Sequence, residues 1–180
     1  MRYILGSMRS VYLLPFLAAV LWSWSFVATK VLLRYLSVVE IIAVRLLLAV
    51  PAMLVLVLAR GLFPRLERRD ARALLGGAAI LLVHFLIQFT GLRTATATNA
   101  GWLIAAAPIP IAILARVFLR ERIGPIQIAG MGIATAGILL LVSGGDWRGL
   151  SGVSHAGDWL VLASSVTWAA FTVATRDLSR

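Results

Sequence analysis

Cysteine is absent from this 180-residue sequence, and charged residues are scarce: they make up 13% of the chain, and only seven are acidic. The lack of cysteine excludes disulfides, thiolate metal sites and a cysteine nucleophile. Hydrophobic residues reach 61%, whereas a soluble domain has about 45–50% apolar and about 25% charged residues. The apolar surplus must face lipid, which excludes a soluble enzyme, a disulfide-rich secreted domain and a disordered chain.

Six apolar runs are long enough to cross a bilayer, whose core of about 30 Å needs roughly 20 helical residues. The first run follows Arg2 and Arg9, as in a signal peptide, but no small-residue cleavage site follows it. We therefore interpret it as a retained helix and predict an all-α integral membrane protein with six transmembrane helices. The predicted spans are residues 11–29, 38–59, 73–92, 98–115, 126–143 and 159–175.

Basic residues lie mostly in the gaps between these runs, and they give the chain a net charge of +10. This pattern indicates membrane topology rather than nucleic-acid binding, because basic residues concentrate in cytoplasmic loops. The side of the membrane that is richer in basic residues is predicted to be cytoplasmic, and it contains both termini. Its basic residues are Arg2, Arg9, Arg60, Arg65, Arg68, Arg69, Arg72, Arg116, Arg120, Arg122, Arg176 and Arg180. The poorer side carries Lys30, Arg34, Arg93 and Arg148.

An internal repeat aligns residues 20–34 (VLWSWSFVATKVLLR) with residues 166–180 (VTWAAFTVATRDLSR). The aligned tryptophans are Trp22 and Trp168, and both segments contain Val-Ala-Thr followed by a basic residue. Five predicted spans separate the copies, so they cross the membrane in opposite directions, as in the inverted repeats of secondary transporters. A chain with a complete second repeat would need about 290 residues, which is twice the repeat offset of 146 residues. We therefore expect a fragment or truncated product of a ten-span protein.

Three segments resemble the EamA branch of the drug/metabolite transporter superfamily: residues 22–49, 91–142 and 157–176. The second segment has the family's pattern at Thr96, Thr98, Asn99, Ala100, Pro108, Leu119, Glu121 and Arg122. The resemblance implies two inverted five-helix repeats around a central cavity. Residues 11–143 would form the first repeat, residues 144–158 an extracytoplasmic loop, and residues 159–180 the start of a truncated second repeat.

Arg45 lies inside the second predicted span, where a charge usually faces a cavity or a partner. We consider two roles: binding of an anionic group on a substrate, or a structural role through carbonyl contacts or snorkelling. Glu40 lies close to Arg45 in sequence, but the spacing Ser37-x-x-Glu40 predicts a helix cap instead.

His84 and Gln88 share one face of the third predicted span. His84 could carry a proton, although a histidine hydrogen-bonded between packed helices is the commoner case. The repeat also pairs two stripes of aromatic and hydroxyl side chains, which predict either a cavity for amphipathic solutes or ordinary helix packing. These stripes contain Trp22, Ser25 and Thr29 in one copy and Trp168, Thr172 and Thr175 in the other.

Asn99 and Trp102 share a face near the outer end of the fourth span, which Pro108 and Pro110 are expected to interrupt. Asn99 would line a cavity or cap the helix. Two small-residue faces predict close helix packing. They consist of Gly101, Ala105, Pro108 and Ala112, and of Gly130, Ala134 and Gly137.

The loop residues Asp146, His155 and Asp158 lack metal-ligand spacing, and no protease, phosphate-binding or zinc motif occurs, so we expect neither a metal nor a cofactor nor enzyme activity. We predict a secondary transporter in the bacterial inner membrane that exports small metabolites or drugs by alternating access. The alternative is a non-transporting membrane protein that assembles with or modulates a partner. The expected partners are the lipid bilayer, a small organic solute, and a second copy or the helices of a second repeat, but not nucleic acid.

Overall fold

The computed structural model describes residues 2–61, 68–143, 145 and 155–176, with side chains from residue 13 to 61, from 70 to 143, at 145 and from 155 to 176. This part of the chain is helical, with turns between the helices, as the all-α prediction requires. Its helices are α1 (Arg2–Leu32), α2 (Val38–Arg60), α3 (Arg68–Thr94), α4 (Ala97–Ile104), α5 (Pro108–Leu119), α6 (Pro125–Val142) and α7 (Ala156–Ala174).

Five segments are long and apolar enough to cross a membrane, and they overlap the first five predicted spans. They are Leu13–Leu32, Val38–Arg60, Asp70–Thr94, Ala97–Leu119 and Pro125–Val142. The sixth predicted span lies in α7, which is not among them. Polar residues interrupt its apolar sequence, and Asp158, Ser164 and Ser165 are buried. The helix is therefore confirmed, and its crossing of the membrane stays a prediction.

The fourth predicted span consists of two helices, α4 and α5, joined by a turn at residues 105–107. Pro108 is the first residue of α5, a position that tolerates the missing N–H of proline. The predicted interruption is confirmed. Thr96 caps α4, because its hydroxyl accepts a hydrogen bond from the Asn99 N–H at 3.0 Å. Asn99 is therefore not the cap, but the third residue of the helix.

The capping box of α2 is formed as predicted. The Ser37 hydroxyl accepts from the Glu40 N–H at 3.3 Å, and the Glu40 carboxylate accepts from the Ser37 N–H at 2.7 Å. At the other end, Gly61 has a φ of 61°, a left-handed conformation that glycine adopts without strain. Glu40 is thus occupied at the helix start, which confirms its interpretation as a cap.

Helices α3 and α7 form the most extensive contact in the described chain, and they run antiparallel. Gly77 near the start of α3 faces Thr175 at the end of α7, and Gly91 near the end of α3 faces Gly157 at the start of α7. A Cβ on Gly91 would lie 2.7 Å from the Gly157 carbonyl oxygen and 2.9 Å from the Val161 nitrogen. Only glycine allows the two backbones to approach this closely.

At their glycines, the two predicted small-residue faces do not pack closely within the part of the chain that the structure describes. A Cβ on Gly101, Gly130 or Gly137 would meet nothing within 4 Å. The reason is that α6 and this face of α4 have few neighbours in the described chain. Most of α6 is exposed, and α7 takes the central position instead.

Two ends of the bundle are held by charged side chains. Lys30, at the end of α1, donates hydrogen bonds to the carbonyls of Leu92, Arg93 and Ala95 at 2.7 to 2.9 Å. It therefore closes the C-terminal end of α3, where helix carbonyls lack intrahelical partners. At the opposite end, Arg176 forms an ion pair with Glu121. Lys30 belongs to the side of the predicted topology that is poorer in basic residues, and Arg176 belongs to the richer side. The two ends of the bundle therefore agree with the division of basic residues in the sequence.

Candidate functional site

Two adjacent cavities lie where α1 meets α3 and α7. The first has a volume of about 320 Å³ and the second about 630 Å³. Both are lined by Trp22, Phe26, His84, Gln88 and Trp168. The first extends towards α2 and Arg45, and the second towards α4, α5 and Trp102. The shared residues therefore separate two compartments that are large enough for a small organic molecule.

Trp22 and Trp168 contact each other edge to face, with ring centroids 5.2 Å apart and an interplanar angle of 72°. They are the tryptophans that the sequence repeat aligns. The indole of Trp168 also lies 5.3 Å from the His84 ring and 5.5 Å from the Phe171 ring. Aromatic rings thus form the wall between the cavities, and such rings bind apolar and aromatic groups over a large contact area.

His84 is buried, with 2% of its surface exposed, and joins α3 to α7. Its Nδ1 lies 2.9 Å from the Ser164 carbonyl oxygen and 3.1 Å from the Thr167 hydroxyl. Its Nε2 lies 3.3 Å from the Gln88 Nε2. The expected hydrogen bond between packed helices is therefore present, and both ring nitrogens have partners.

Arg45 reaches the first cavity from α2. Its guanidinium carbon lies 5.6 Å from the centre of the Phe85 ring and 5.4 Å from that of Phe89, distances typical of cation–π contacts. It also donates a long hydrogen bond of 3.4 Å to the buried Thr29 hydroxyl. The described contacts of Arg45 are thus with rings and a hydroxyl rather than with helix carbonyls. A guanidinium held in this way keeps donors available for an anion.

Eight of the ten predicted site residues line a cavity. Seven line the first: Trp22, Ser25, Thr29, Arg45, His84, Gln88 and Trp168. Trp102 lines only the second. Asn99 and Thr172 line neither. The Thr172 hydroxyl donates to the Trp168 carbonyl at 2.9 Å, and Ser25 does the same towards Trp22 at 2.7 Å.

Sequence reasoning missed Phe85 and Phe89, which lie one helical turn apart under Arg45. Their spacing of one helical turn can be recognised in the sequence, but their contact with Arg45 of α2 cannot. The sequence analysis also placed Asp158 in a loop, whereas Asp158 belongs to the first turn of α7 and is fully buried. Its Oδ2 accepts from the His155 N–H at 3.2 Å. Asp146 lies outside the described residues.

The cavities offer no set of metal ligands. Across the described ranges, no three histidine or acidic side chains cluster as a metal would need. Within the same ranges, neither cavity is lined by a carboxylate, so Arg45 is the charged group among the lining residues. The arrangement can therefore bind an amphipathic molecule through aromatic walls, hydrogen-bonding side chains and one cation.

Comparison with known proteins shows the family. Residues 9–143 match the EamA-like transporter family. The chain belongs to this family. EamA-like proteins are transporters rather than enzymes, and this EamA chain is accordingly a multi-pass membrane protein. The resemblance seen in the sequence is thereby confirmed.

Several transporters are similar to the EamA chain along most of its length. An uncharacterized transporter of Archaeoglobus fulgidus is 30% identical over 164 residues, which cover 90% of this chain and 56% of that protein. A protein of Streptantibioticus cattleyicolor named as a probable terminal-alkyne amino-acid exporter is 31% identical over 164 residues, or 90% of this chain and 53% of that protein. The chain thus spans about half the length of these relatives. No solved structure matches it significantly.

Proposed function

We propose that this chain takes part in secondary transport and that its first cavity binds small amphipathic solutes that carry an anionic group. The observation that carries the proposal is Arg45, whose guanidinium lies among the rings of Phe85 and Phe89 at the cavity wall. An intramembrane cation is costly unless an anion or a polar partner offsets it. Trp22 and Trp168 supply an apolar surface for the rest of the solute.

The similarity to the probable terminal-alkyne amino-acid exporter supports this class of solute and the direction of transport. An amino acid carries a carboxylate, the anion that a guanidinium binds in a bidentate manner. We therefore extend the proposal to export, from a bacterial inner membrane in which the N-terminus is cytoplasmic. The uneven distribution of basic residues supports this orientation.

Alternating access between inverted repeats is the proposed mechanism. It is supported by the contact between Trp22 and Trp168, because two residues related by a two-fold axis can touch only near that axis. The Lys30 contacts place the ends of α1 and α3 together, while α7 runs antiparallel to α3. The two aligned segments therefore run in opposite directions, as rocking of inverted repeats requires.

The test compares ligands and variants of the purified chain in lipid nanodiscs. Binding of 3-phenylpropanoate is measured by calorimetry beside 3-phenylpropanamide, which has the same ring and no charge. The acid should bind more tightly, and Arg45→Gln should remove this preference. Arg34→Gln is the matched control, because Arg34 is exposed and lines neither cavity. Equal binding of acid and amide, or equal loss in both variants, would contradict the proposed anion site.

A second candidate function is assembly with further membrane helices. The described part of α2 is buried only in its first turns, at Val38, Ile41 and Ile42, and Leu46 to Leu58 present large exposed apolar side chains. Such a surface contacts either lipid or other helices. Sedimentation of the chain in nanodiscs of increasing diameter distinguishes a single copy from an assembly.

A further inference from the structure

The partners of His84 determine which of its ring nitrogens carries the hydrogen. A carbonyl oxygen can only accept, so the contact of 2.9 Å to Ser164 requires the hydrogen on Nδ1. The Thr167 hydroxyl, 3.1 Å from the same nitrogen, donates its own hydrogen to the Ser164 carbonyl at 2.8 Å. Its oxygen is then free to accept from Nδ1 as well. All three contacts agree on one tautomer.

This tautomer fixes the orientation of the neighbouring carboxamide. A neutral imidazole with its hydrogen on Nδ1 has a lone pair on Nε2, which accepts a hydrogen bond. The Gln88 nitrogen lies 3.3 Å from Nε2, so the amide N–H of Gln88 points to the ring. The opposite orientation would place the amide oxygen against the lone pair. His84 therefore orients the Gln88 carboxamide so that its nitrogen faces the ring and its carbonyl oxygen faces away from the ring.

We propose that Gln88 is a solute-binding residue and His84 the residue that positions it. Gln88 lines both cavities, and within the described chain its side chain makes no hydrogen bond besides the one to His84. The inference rests on the proposed function and narrows the solute class. A solute that places its anionic group at Arg45 binds best when it also carries an N–H or O–H group for the Gln88 oxygen.

Two substitutions of His84 separate positioning from helix packing. In His84→Asn the side-chain amide nitrogen takes the place of Nδ1, which keeps the donor to Ser164 and removes the acceptor for Gln88. In His84→Gln the longer side chain puts an amide oxygen near the place of Nε2, which keeps the acceptor and removes the donor to α7. A purely structural histidine would be sensitive to the second change, and a positioning histidine to the first.

The first measurement needs no solute. The chain has two histidines, so His155→Ala leaves His84 as the source of all imidazole signals. Nitrogen-15 NMR of this variant in lipid bilayers should show a protonated Nδ1 and an unprotonated Nε2. The reverse tautomer, with the hydrogen on Nε2, would overturn the proposal whatever the chain transports.

The second measurement compares L-phenylalanine with 3-phenylpropanoate, which share the ring and the carboxylate but differ in the ammonium group. Wild type should bind L-phenylalanine about tenfold more tightly, because 3-phenylpropanoate leaves the oxygen of the buried Gln88 side chain without a hydrogen-bond donor. Gln88→Leu and His84→Asn should lose this ratio, and His84→Gln should keep it. Equal binding of both probes by wild type, or a ratio unchanged in Gln88→Leu, overturns the role of Gln88 alone. Binding of neither probe overturns the anion site together with this inference.

Discussion

Trp22 of α1 and Trp168 of α7 contact each other edge to face across the wall of both cavities. The positions are 146 residues apart, which is the offset of the sequence repeat. Edge-to-face pairs gain stability beyond the burial of their surface, because the positive edge of one ring meets the negative face of the other. The contact therefore joins the two repeat segments at the centre of the candidate site.

A double-mutant cycle should detect this contact. Replacing Trp22 and Trp168 by alanine, singly and together, should give a coupling free energy of about 1 kcal/mol in reversible unfolding by SDS in mixed micelles. The control cycle pairs Trp168 with Trp24, which is 70% exposed, and should give a coupling near zero. Additive effects of Trp22→Ala and Trp168→Ala would mean that the rings contribute independently.

Lys30 should stabilise the fold as a helix cap. Lys30→Met removes three hydrogen bonds to the carbonyls of Leu92, Arg93 and Ala95, and it should lower the free energy of unfolding by about 2 kcal/mol. Arg34→Met removes a basic residue from the same end of α1 and should have a much smaller effect, since Arg34 is exposed. If both variants unfold alike, the net charge at this end matters and the cap does not.

Ser37 should contribute through the start of α2. Ser37→Ala removes the hydroxyl that accepts from the Glu40 N–H, and it should cost about 1 kcal/mol in the same unfolding assay. Ser37→Asp keeps an acceptor at the N-cap and should restore most of the loss. A Ser37→Asp variant as unstable as Ser37→Ala would show that the hydroxyl has another role.

Features that depend on neighbouring residues could be predicted from the sequence. The capping box of Ser37 and Glu40 needs only a spacing of three residues, and the break at Pro108 follows from the missing N–H of proline. The contact of His84 with Gln88 needs only one helical turn. Such features are set by the local chain, so a single sequence contains the information for them.

Features that depend on which helices meet could not be predicted. The glycines of α6 have the spacing of a packing face but meet open space, whereas Gly91 and Gly157 form the close contact. Nothing in the pattern of α2 indicates that Arg45 would lie over Phe89 of α3. Asp158 was assigned to a loop, although it lies in the first turn of α7 and is fully buried in the folded chain. Tertiary pairing decides each of these.

The glycine contact between α3 and α7 gives the sharpest prediction of stability. Gly91→Ala would place a methyl group 2.7 Å from the Gly157 carbonyl oxygen and 2.9 Å from the Leu160 Cβ, and neither atom belongs to a flexible side-chain end. The helices must separate, so unfolding should become easier by about 1–3 kcal/mol, and the hydrogen bond from His84 to Ser164 should weaken with it.

Gly130→Ala is the matched control for Gly91→Ala. It makes the same chemical change in the interior of a helix where a Cβ meets nothing within 4 Å, so it should stabilise the chain by up to about 1 kcal/mol through the helix propensity of alanine. The two substitutions should therefore shift the SDS midpoint in opposite directions. Stabilisation by Gly91→Ala would mean that α3 and α7 lie farther apart than the structure has them. The contact between His84 of α3 and Trp168 of α7 in the cavity wall would then be looser as well, because it depends on the same approach of the two helices.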